Sequence, residues 1–126
     1  MSTPSVFVLD DDLSVCRVVD RMLCLEDYEV QTSQSVEEAV SAIEEKSFDA
    51  YVLDYRLRDG TGLDVAEQLR SKGSGAPIIL VSGYADRTPT DDATAIGASF
   101  LQKPFSLDAL ARLVRTRIEE PRYRGV

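Results

Sequence analysis

The stretch AYVLDYRLRDGTGLD, residues 50–64, sets a carboxylate directly after an apolar run and follows it with a glycine-containing turn. Tyr51, Val52 and Leu53 have the pattern of a strand that is buried on both faces, because its apolar residues are continuous and do not alternate with polar ones. Asp54 ends the run, although a carboxylate is costly to remove from water. Asp54 is therefore either the first residue of a loop or a side chain held at a strand end for chemistry.

Short apolar runs and helical spacings alternate along the rest of the chain. Further runs occur at residues 6–9, 28–32, 78–81 and 100–101, and the second of these is the weakest. Between the runs, apolar residues recur at helical spacing: Val15, Val18, Val19 and Met22; Val36, Ala39, Val40 and Ile43; Leu63, Ala66 and Leu69; and Leu107, Leu110, Val114 and Ile118. One more helix, within residues 86–98, is weakly specified. Five β–α units predict a doubly wound parallel α/β sheet with right-handed crossovers and helices on both faces.

Residues that favour helix ends support this division of the chain. Ser35 followed by Glu38 predicts a capping box at the start of the second helix, and Ser106 can cap the last helix. Gly97 lies where the fourth helix is expected to end before the final strand.

Length and composition indicate an ordinary globular domain. The chain has 126 residues, of which 44% are apolar and 29% charged. Neither a membrane-spanning run nor a signal peptide is apparent, which predicts a cytoplasmic protein without membrane contact. Periodicity is lost at Pro121, so we expect one domain over residues 1–120 and a C-terminal tail or the start of a linker at 121–126.

Charge and residue usage exclude several kinds of function. The formal net charge of −8 argues against direct nucleic-acid binding by this domain, which needs a basic surface. The chain contains no histidine, which excludes a histidine general base and a standard zinc site. Cys16 and Cys24 lie eight residues apart in one predicted helix, and we expect both to be buried, reduced thiols.

Polar side chains follow four of the predicted strands, at the point where each strand ends. They are Asp10, Asp11 and Asp12 after the first strand, Asp54 after the third, Ser82 after the fourth and Lys103 after the fifth. Parallel strands bring such residues to one edge of the sheet. Clustered carboxylates repel one another, and Mg²⁺ relieves this conflict at an all-oxygen site. A metal, a cation, a hydroxyl and a nucleophilic carboxylate are the parts needed to transfer a phosphoryl group onto Asp54.

These motifs, in this order and spacing, resemble the receiver domain of two-component response regulators over residues 6–118. The matching pieces are Asp10–Asp11, Asp54 after an apolar strand, Asp59–Gly60, Ser82–Gly83 and Lys103–Phe105. The resemblance implies a flavodoxin-like (βα)5 fold with strand order 2-1-3-4-5. It also implies that a sensor histidine kinase, or a phosphotransfer protein, donates a phosphoryl group from its phosphohistidine to the chain.

The resemblance also implies roles for individual residues. Asp54 would accept the phosphoryl group, with Lys103 pairing with its oxygens and Ser82 donating a hydrogen bond. Mg²⁺ would be held by carboxylates of the site and a backbone carbonyl, contributed by Asp10, Asp11, Asp54 and Arg56. The third aspartate of the first run, Asp12, fills a position that is usually acidic, so the pair that faces the metal rests on alignment.

A switch and its readout follow from the same resemblance. Phe100 falls on the switch aromatic, whose rotamer follows the movement of Ser82, and the peptide bond before Pro104 falls where a cis bond is usual. Arg56 and Tyr84 occupy positions that tune phosphoryl lifetime. The face formed by the fourth helix, fifth strand and last helix, residues 91–117, would contact an output domain, an effector protein or a second copy of the chain.

Two other functions compete with this interpretation. A haloacid-dehalogenase-like phosphohydrolase also uses an aspartate nucleophile and Mg²⁺, but its second acid normally lies two residues after the nucleophile, where this chain has Arg56. A degenerate receiver would act only as an interaction module and assist no phosphorylation of its own.

Overall fold

Five parallel strands form the central sheet of the structure, a computed structural model that describes residues 3–83 and 90–123. The strands are β1 (Ser5–Leu9), β2 (Glu29–Ser33), β3 (Ala50–Asp54), β4 (Ile78–Ser82) and β5 (Ser99–Gln102). Their order across the sheet is β2-β1-β3-β4-β5. The predicted fold class and the strand order implied by the resemblance are therefore confirmed.

Helices connect the strands. They are α1 (Leu13–Leu25), α2 (Val36–Glu45), α3 (Gly62–Ser71), α4 (Thr90–Ala95) and α5 (Leu107–Glu119). A short antiparallel hairpin, Arg56–Leu57 with Gly60–Thr61, lies between β3 and α3. Within the described residues, none of these helices has the length and apolar character needed to cross a bilayer.

Two hydrophobic cores explain why the strands are continuously apolar. Successive side chains of a strand point to opposite faces of the sheet. Leu53 packs with residues of α2 and α3 on one face, whereas Val52 packs with residues of α1 and α5 on the other. Every residue of β1, β3 and β4 is buried. A strand covered on both faces has no solvent-facing position that a polar residue would fill.

Helix caps agree with the predicted boundaries, with one difference. Ser35 accepts a hydrogen bond from the Glu38 amide, but the Glu38 carboxylate accepts from the Gln34 amide instead of completing a box on Ser35. Ser106 caps α5 as predicted. Gly97 has a φ of 68° just after α4, the left-handed conformation in which glycine is favoured.

The burial of α1 corrects two expectations. Cys16, Val19 and Leu23 are the buried residues of this helix, whereas Val18 is 50% exposed. Cys24 is exposed, so the expectation that both thiols are buried is wrong for this one. Eight residues correspond to a rotation of about 80° beyond two full turns, which carries Cys24 away from the sheet that covers Cys16.

Candidate functional site

Carboxylates from β1 and β3 meet at the carboxyl edge of the sheet. Leu9 pairs with Leu53, so the residues that follow them, Asp10 and Asp54, emerge side by side. Asp10 and Asp54 are buried, with 4% and 7% of their surface exposed. Asp11 joins them, and one carboxylate oxygen from each of the three lies within 4.8 Å of the others. The parallel sheet therefore builds the predicted acidic cluster.

Lys103 contributes a positive charge to this cluster. Its Nζ lies 2.9 Å from Asp10 Oδ2 and 3.4 Å from Asp54 Oδ2. The Lys103 backbone N–H donates to the Ser82 carbonyl, which holds the start of the β5–α5 loop beside the end of β4. The peptide bond between Lys103 and Pro104 is cis, as the resemblance implies.

Burial and charge set the ionisation of the site. Burial raises the pKa of Asp54 to about 6, the negative charge of Asp10 adds to the rise, and Lys103 opposes it. Burial also acts to lower the pKa of Lys103, but the hydrogen bond to Asp10 and the charge of Asp54 outweigh it, and the pKa is raised. Lys103 thus remains a cation beside a carboxylate whose ionisation is unfavourable without further positive charge.

Asp12 has a different role from its two neighbours. Its side chain caps α1 by accepting hydrogen bonds from the amides of Ser14 and Val15 and from the Ser14 hydroxyl. The hydrogen bond from the Ser14 hydroxyl is the main cause of the lowered Asp12 pKa. The Asp12 amide in turn donates to Asp10 Oδ1. The structure thus brings Asp10 and Asp11 to Asp54 and assigns Asp12 to the helix end.

The hairpin after Asp54 is anchored to two helices. A Cβ on residue 62 would lie 2.3 Å from the Asp54 carbonyl oxygen, so glycine is required for α3 to begin this close to β3. Asp59 accepts hydrogen bonds from the amides of Val36 and Glu37 at the start of α2. Arg56 is exposed in the hairpin, two residues after Asp54.

Thr61 and Asp64 form a complete capping box at the start of α3. Sequence reasoning did not identify this box, although a threonine followed three residues later by an acid is a recognisable signal for one. The hydrogen bonds from the α2 amides to Asp59 were also not predicted, because no local sequence pattern indicates them.

Ser82 and Phe100 lie on one face of the sheet. Leu80 pairs with Phe100 and Ser82 pairs with Gln102, and side chains two residues apart in a strand share a face. Ser82 is 1% exposed and its hydroxyl donates to the Gly83 carbonyl at 3.4 Å, whereas Phe100 is half-buried. Tyr84, predicted to tune phosphoryl lifetime, lies outside the described residues.

The donor set at this edge fits a hard divalent cation. Three carboxylates converge there, and Lys103 lies beside two of them, Asp10 and Asp54. Oxygen ligands in such a cluster are those that Mg²⁺ binds in proteins. At the same edge, the Asp54 carboxylate lies 3.4 Å from the Lys103 ammonium group, a geometry compatible with phosphoryl transfer to a carboxylate.

Comparison with known proteins identifies the family. The response regulator receiver domain family matches residues 6–115. The chain is 31% identical over 122 residues to the acid tolerance regulatory protein ActR of Rhizobium meliloti (strain 1021), covering 93% of this chain and 63% of that protein. It is 37% identical over 103 residues to the photosynthetic apparatus regulatory protein RegA of Rhodovulum sulfidophilum, covering 80% of this chain and 56% of that protein.

Solved structures agree in fold. A CheY-like receiver domain protein from Methanospirillum hungatei JF-1 superposes with a TM-score of 0.88 at 24% identity, covering 94% of this chain and 95% of that one. The response regulator protein TrrA from Thermotoga maritima, solved in complex with Mg²⁺–BeF, gives a TM-score of 0.80 at 27% identity, covering 90% and 97%.

The chain belongs to the receiver domain family of two-component response regulators. This membership favours a signalling domain over the haloacid-dehalogenase-like alternative. The chain spans less than two thirds of the length of ActR and RegA.

Proposed function

We propose that the domain accepts a phosphoryl group on Asp54 from the phosphohistidine of a sensor histidine kinase or a phosphotransfer protein. The observation that carries this proposal is the position of Lys103 Nζ, 3.4 Å from Asp54 Oδ2, at an edge where three carboxylates converge. A buried carboxylate with an adjacent cation, and with two further carboxylates that can share a metal with it, suits the capture of a phosphoryl group. A purely structural aspartate would be paired with a cation but would not need two further carboxylates within 4.8 Å of it.

The chemistry divides among residues of the chain. An Asp54 carboxylate oxygen attacks phosphorus, and the bond from phosphorus to the donor imidazole breaks. Asp10, Asp11 and Asp54, with the backbone carbonyl of Arg56, would hold Mg²⁺. When bound, Mg²⁺ supplies positive charge that offsets the phosphoryl oxygens and allows Asp54 to ionise.

Two further groups would engage the product. The Lys103 ammonium would pair with a phosphoryl oxygen, a role supported by its distance of 3.4 Å from Asp54 Oδ2. The Ser82 hydroxyl, at the end of the neighbouring strand, would donate a hydrogen bond to another oxygen. Arg56 and Tyr84 would set how long the phosphoryl group survives. The domain assists its own phosphorylation and dephosphorylation, and we do not assign it an enzymatic activity on other substrates.

The readout would be a change in packing behind the site. Moving the Ser82 hydroxyl toward the phosphoryl group leaves space on the face that it shares with Phe100, and the half-buried ring can move inward. Residues 91–117, which carry α4, β5 and α5, would then present a new surface to an output domain, an effector or a second copy of the chain. We place the receiver domain at residues 1–120, with a tail or linker from residue 121.

A small-molecule phosphodonor tests the proposal without a kinase. Acetyl phosphate and Mg²⁺ should add one base-labile phosphoryl group to the purified chain, and EDTA should abolish the reaction. Intact-protein mass spectrometry reads the adduct directly. Absence of an adduct with several phosphodonors at saturating Mg²⁺ would favour a degenerate receiver that acts only through contacts.

A further inference from the structure

A slot for an aromatic side chain lies at the end of the sheet opposite the acidic site. Arg70, near the end of α3, builds one wall. Its Nη1 donates to the carbonyls of Ser74 and Ala76 in the α3–β4 loop, and its Nε donates to the Ile96 carbonyl just after α4, at 2.7 Å. Arg70 thus joins α3, the loop before β4 and the turn after α4. Its Nη2 is buried and has no hydrogen-bond partner among the described residues.

Tyr123, four residues after the end of α5, occupies this slot. Its ring centre lies 4.5 Å from the Arg70 guanidinium carbon, within the range of a cation–π contact. A Cβ on residue 97 would lie 2.1 Å from the ring, so the absence of a side chain at Gly97 makes the space that the ring fills. The Tyr123 hydroxyl donates to the carbonyl of Ala95, the last residue of α4, at 3.3 Å.

The backbone of Tyr123 is held as well. Its N–H donates to the Gly75 carbonyl at 2.9 Å. A Cβ on residue 75 would lie 2.3 Å from the Tyr123 carbonyl oxygen, so this side of the slot also depends on glycine. The neighbouring Arg122 differs, because it is exposed and its ion pair with Asp49 spans 3.5 Å. The contacts of this segment with the α4 turn are therefore made by Tyr123.

We propose that this slot is an intramolecular binding site for Tyr123 that ties the segment after α5, residues 120–123, to the C-terminal end of α4. Residues 120–123 are then held against the domain after α5 ends. The contact also stabilises the turn that ends α4. In this turn the Gly97 amide donates to the Thr94 carbonyl and the Ala98 amide donates to the Ala93 carbonyl. If α4 moves on phosphorylation, Tyr123 is the contact through which residues 120–123 move with it. That last step rests on the proposed function, whereas the slot itself does not.

Amide hydrogen exchange, measured by NMR without phosphodonor, tests the slot. Tyr123→Ala should speed exchange at the Gly97 and Ala98 amides by about tenfold, since ring and hydroxyl contacts to this turn are lost. Arg122→Ala is the matched control and should leave both amides within about twofold of wild type. If the Gly97 and Ala98 amides each exchange at the same rate in Tyr123→Ala as in wild type, the proposal is overturned.

The converse experiment fills the slot at residue 97 and measures hydrogen exchange at the Tyr123 amide. Gly97→Ala places a methyl group against the ring and should speed exchange of the Tyr123 amide by about tenfold. Gly73→Ala is the control, because Gly73 also has a positive φ, of 87°, but a Cβ there meets nothing within 4 Å. Both variants carry left-handed strain, and only the first should release Tyr123. Equal exchange of the Tyr123 amide in the two variants would contradict the proposal, and the Tyr123→Ala result stands if Gly97→Ala does not fold.

Discussion

Lys103 Nζ lies 3.4 Å from Asp54 Oδ2 even though the strands that deliver the two residues are not neighbours in the sheet. β4 lies between β3 and β5, and its last residue, Ser82, accepts a hydrogen bond from the Lys103 amide. The lysine stem therefore spans the end of β4 to reach the carboxylate. This relationship puts the cation, the candidate nucleophile and the hydroxyl-bearing strand end in one small volume.

Removing the lysine charge should destabilise the metal-free domain. Lys103→Met leaves Asp10 and Asp54 without the ammonium that they share, and it should lower the free energy of unfolding at pH 7 by about 1–3 kcal/mol. Urea denaturation in EDTA measures this. Arg112→Met is the control, because its pair with Asp108 is exposed and should change stability by less than about 0.5 kcal/mol. Equal, small effects of both substitutions would mean that Lys103 does not compensate the cluster.

The pH dependence of stability should report the buried state of Asp54. Folding raises the pKa of Asp54 from 3.8 to about 6, so the folded state binds this proton more tightly than the unfolded chain. The resulting stabilisation is fully present below about pH 4 and is lost as pH rises through about 6. Metal-free Asp54→Asn should therefore exceed wild type in stability by about 1–3 kcal/mol at pH 8 and match it below about pH 4.

Asp59→Asn is the control for Asp54→Asn, and it should change stability at pH 8 in the opposite direction. Hydrogen bonds from the Val36 and Glu37 amides lower the pKa of Asp59, so its carboxylate stabilises the fold near neutral pH and loses this effect in acid. The substitution should lower stability at pH 8. A stability difference between Asp54→Asn and wild type that does not vary with pH would refute the burial argument for Asp54.

Mg²⁺ should stabilise the wild type by binding only the folded state. Saturating Mg²⁺ is expected to raise the melting temperature, and Asp11→Ala should reduce the rise strongly because one of the three carboxylates is lost. Asp12→Ala provides the matched control. Because Asp12 caps α1, this substitution should lower the melting temperature without Mg²⁺ but leave the Mg²⁺-dependent rise unchanged. A full Mg²⁺ response in Asp11→Ala would place the metal elsewhere.

Phosphorylation should alter the packing of Phe100. Beryllofluoride with Mg²⁺ mimics the phosphoryl group, and amide shifts in labelled protein should extend from Asp54 and Ser82 to residues 91–117. Ser82→Ala should confine the shifts to the surroundings of Asp54, because the hydroxyl that follows the phosphoryl group is absent. Shifts that stay near Asp54 in the wild type would indicate a passive phosphate carrier.

The sheet and its acidic edge could be predicted because both follow from local patterns. Continuous apolar runs such as residues 51–53 are required wherever a strand is covered on both faces, and parallel strands necessarily bring their carboxyl ends together. The strand-end positions therefore predict that Lys103 lies near Asp10 and Asp54. The motif resemblance then supplied the strand order.

Contacts between distant residues that lie away from the strand ends could not be predicted. Asp59 binds amides of α2 that lie more than twenty residues earlier, and Tyr123 docks against Arg70 and Gly97, with no local signal for either contact. The orientation of α1 was also missed, because apolar residues extend round much of this helix and packing alone decides that Val18 faces solvent.

The most direct test of the central claim is to locate the phosphoryl group. After treatment with acetyl phosphate and Mg²⁺, wild type and Asp59→Asn should each gain one base-labile phosphoryl group, whereas Asp54→Asn should gain none. Asp59 is a matched choice because it is an exposed aspartate of the same segment that does not belong to the acidic cluster. Intact-protein mass spectrometry reads all three proteins under one condition. A full adduct on Asp54→Asn would contradict the account.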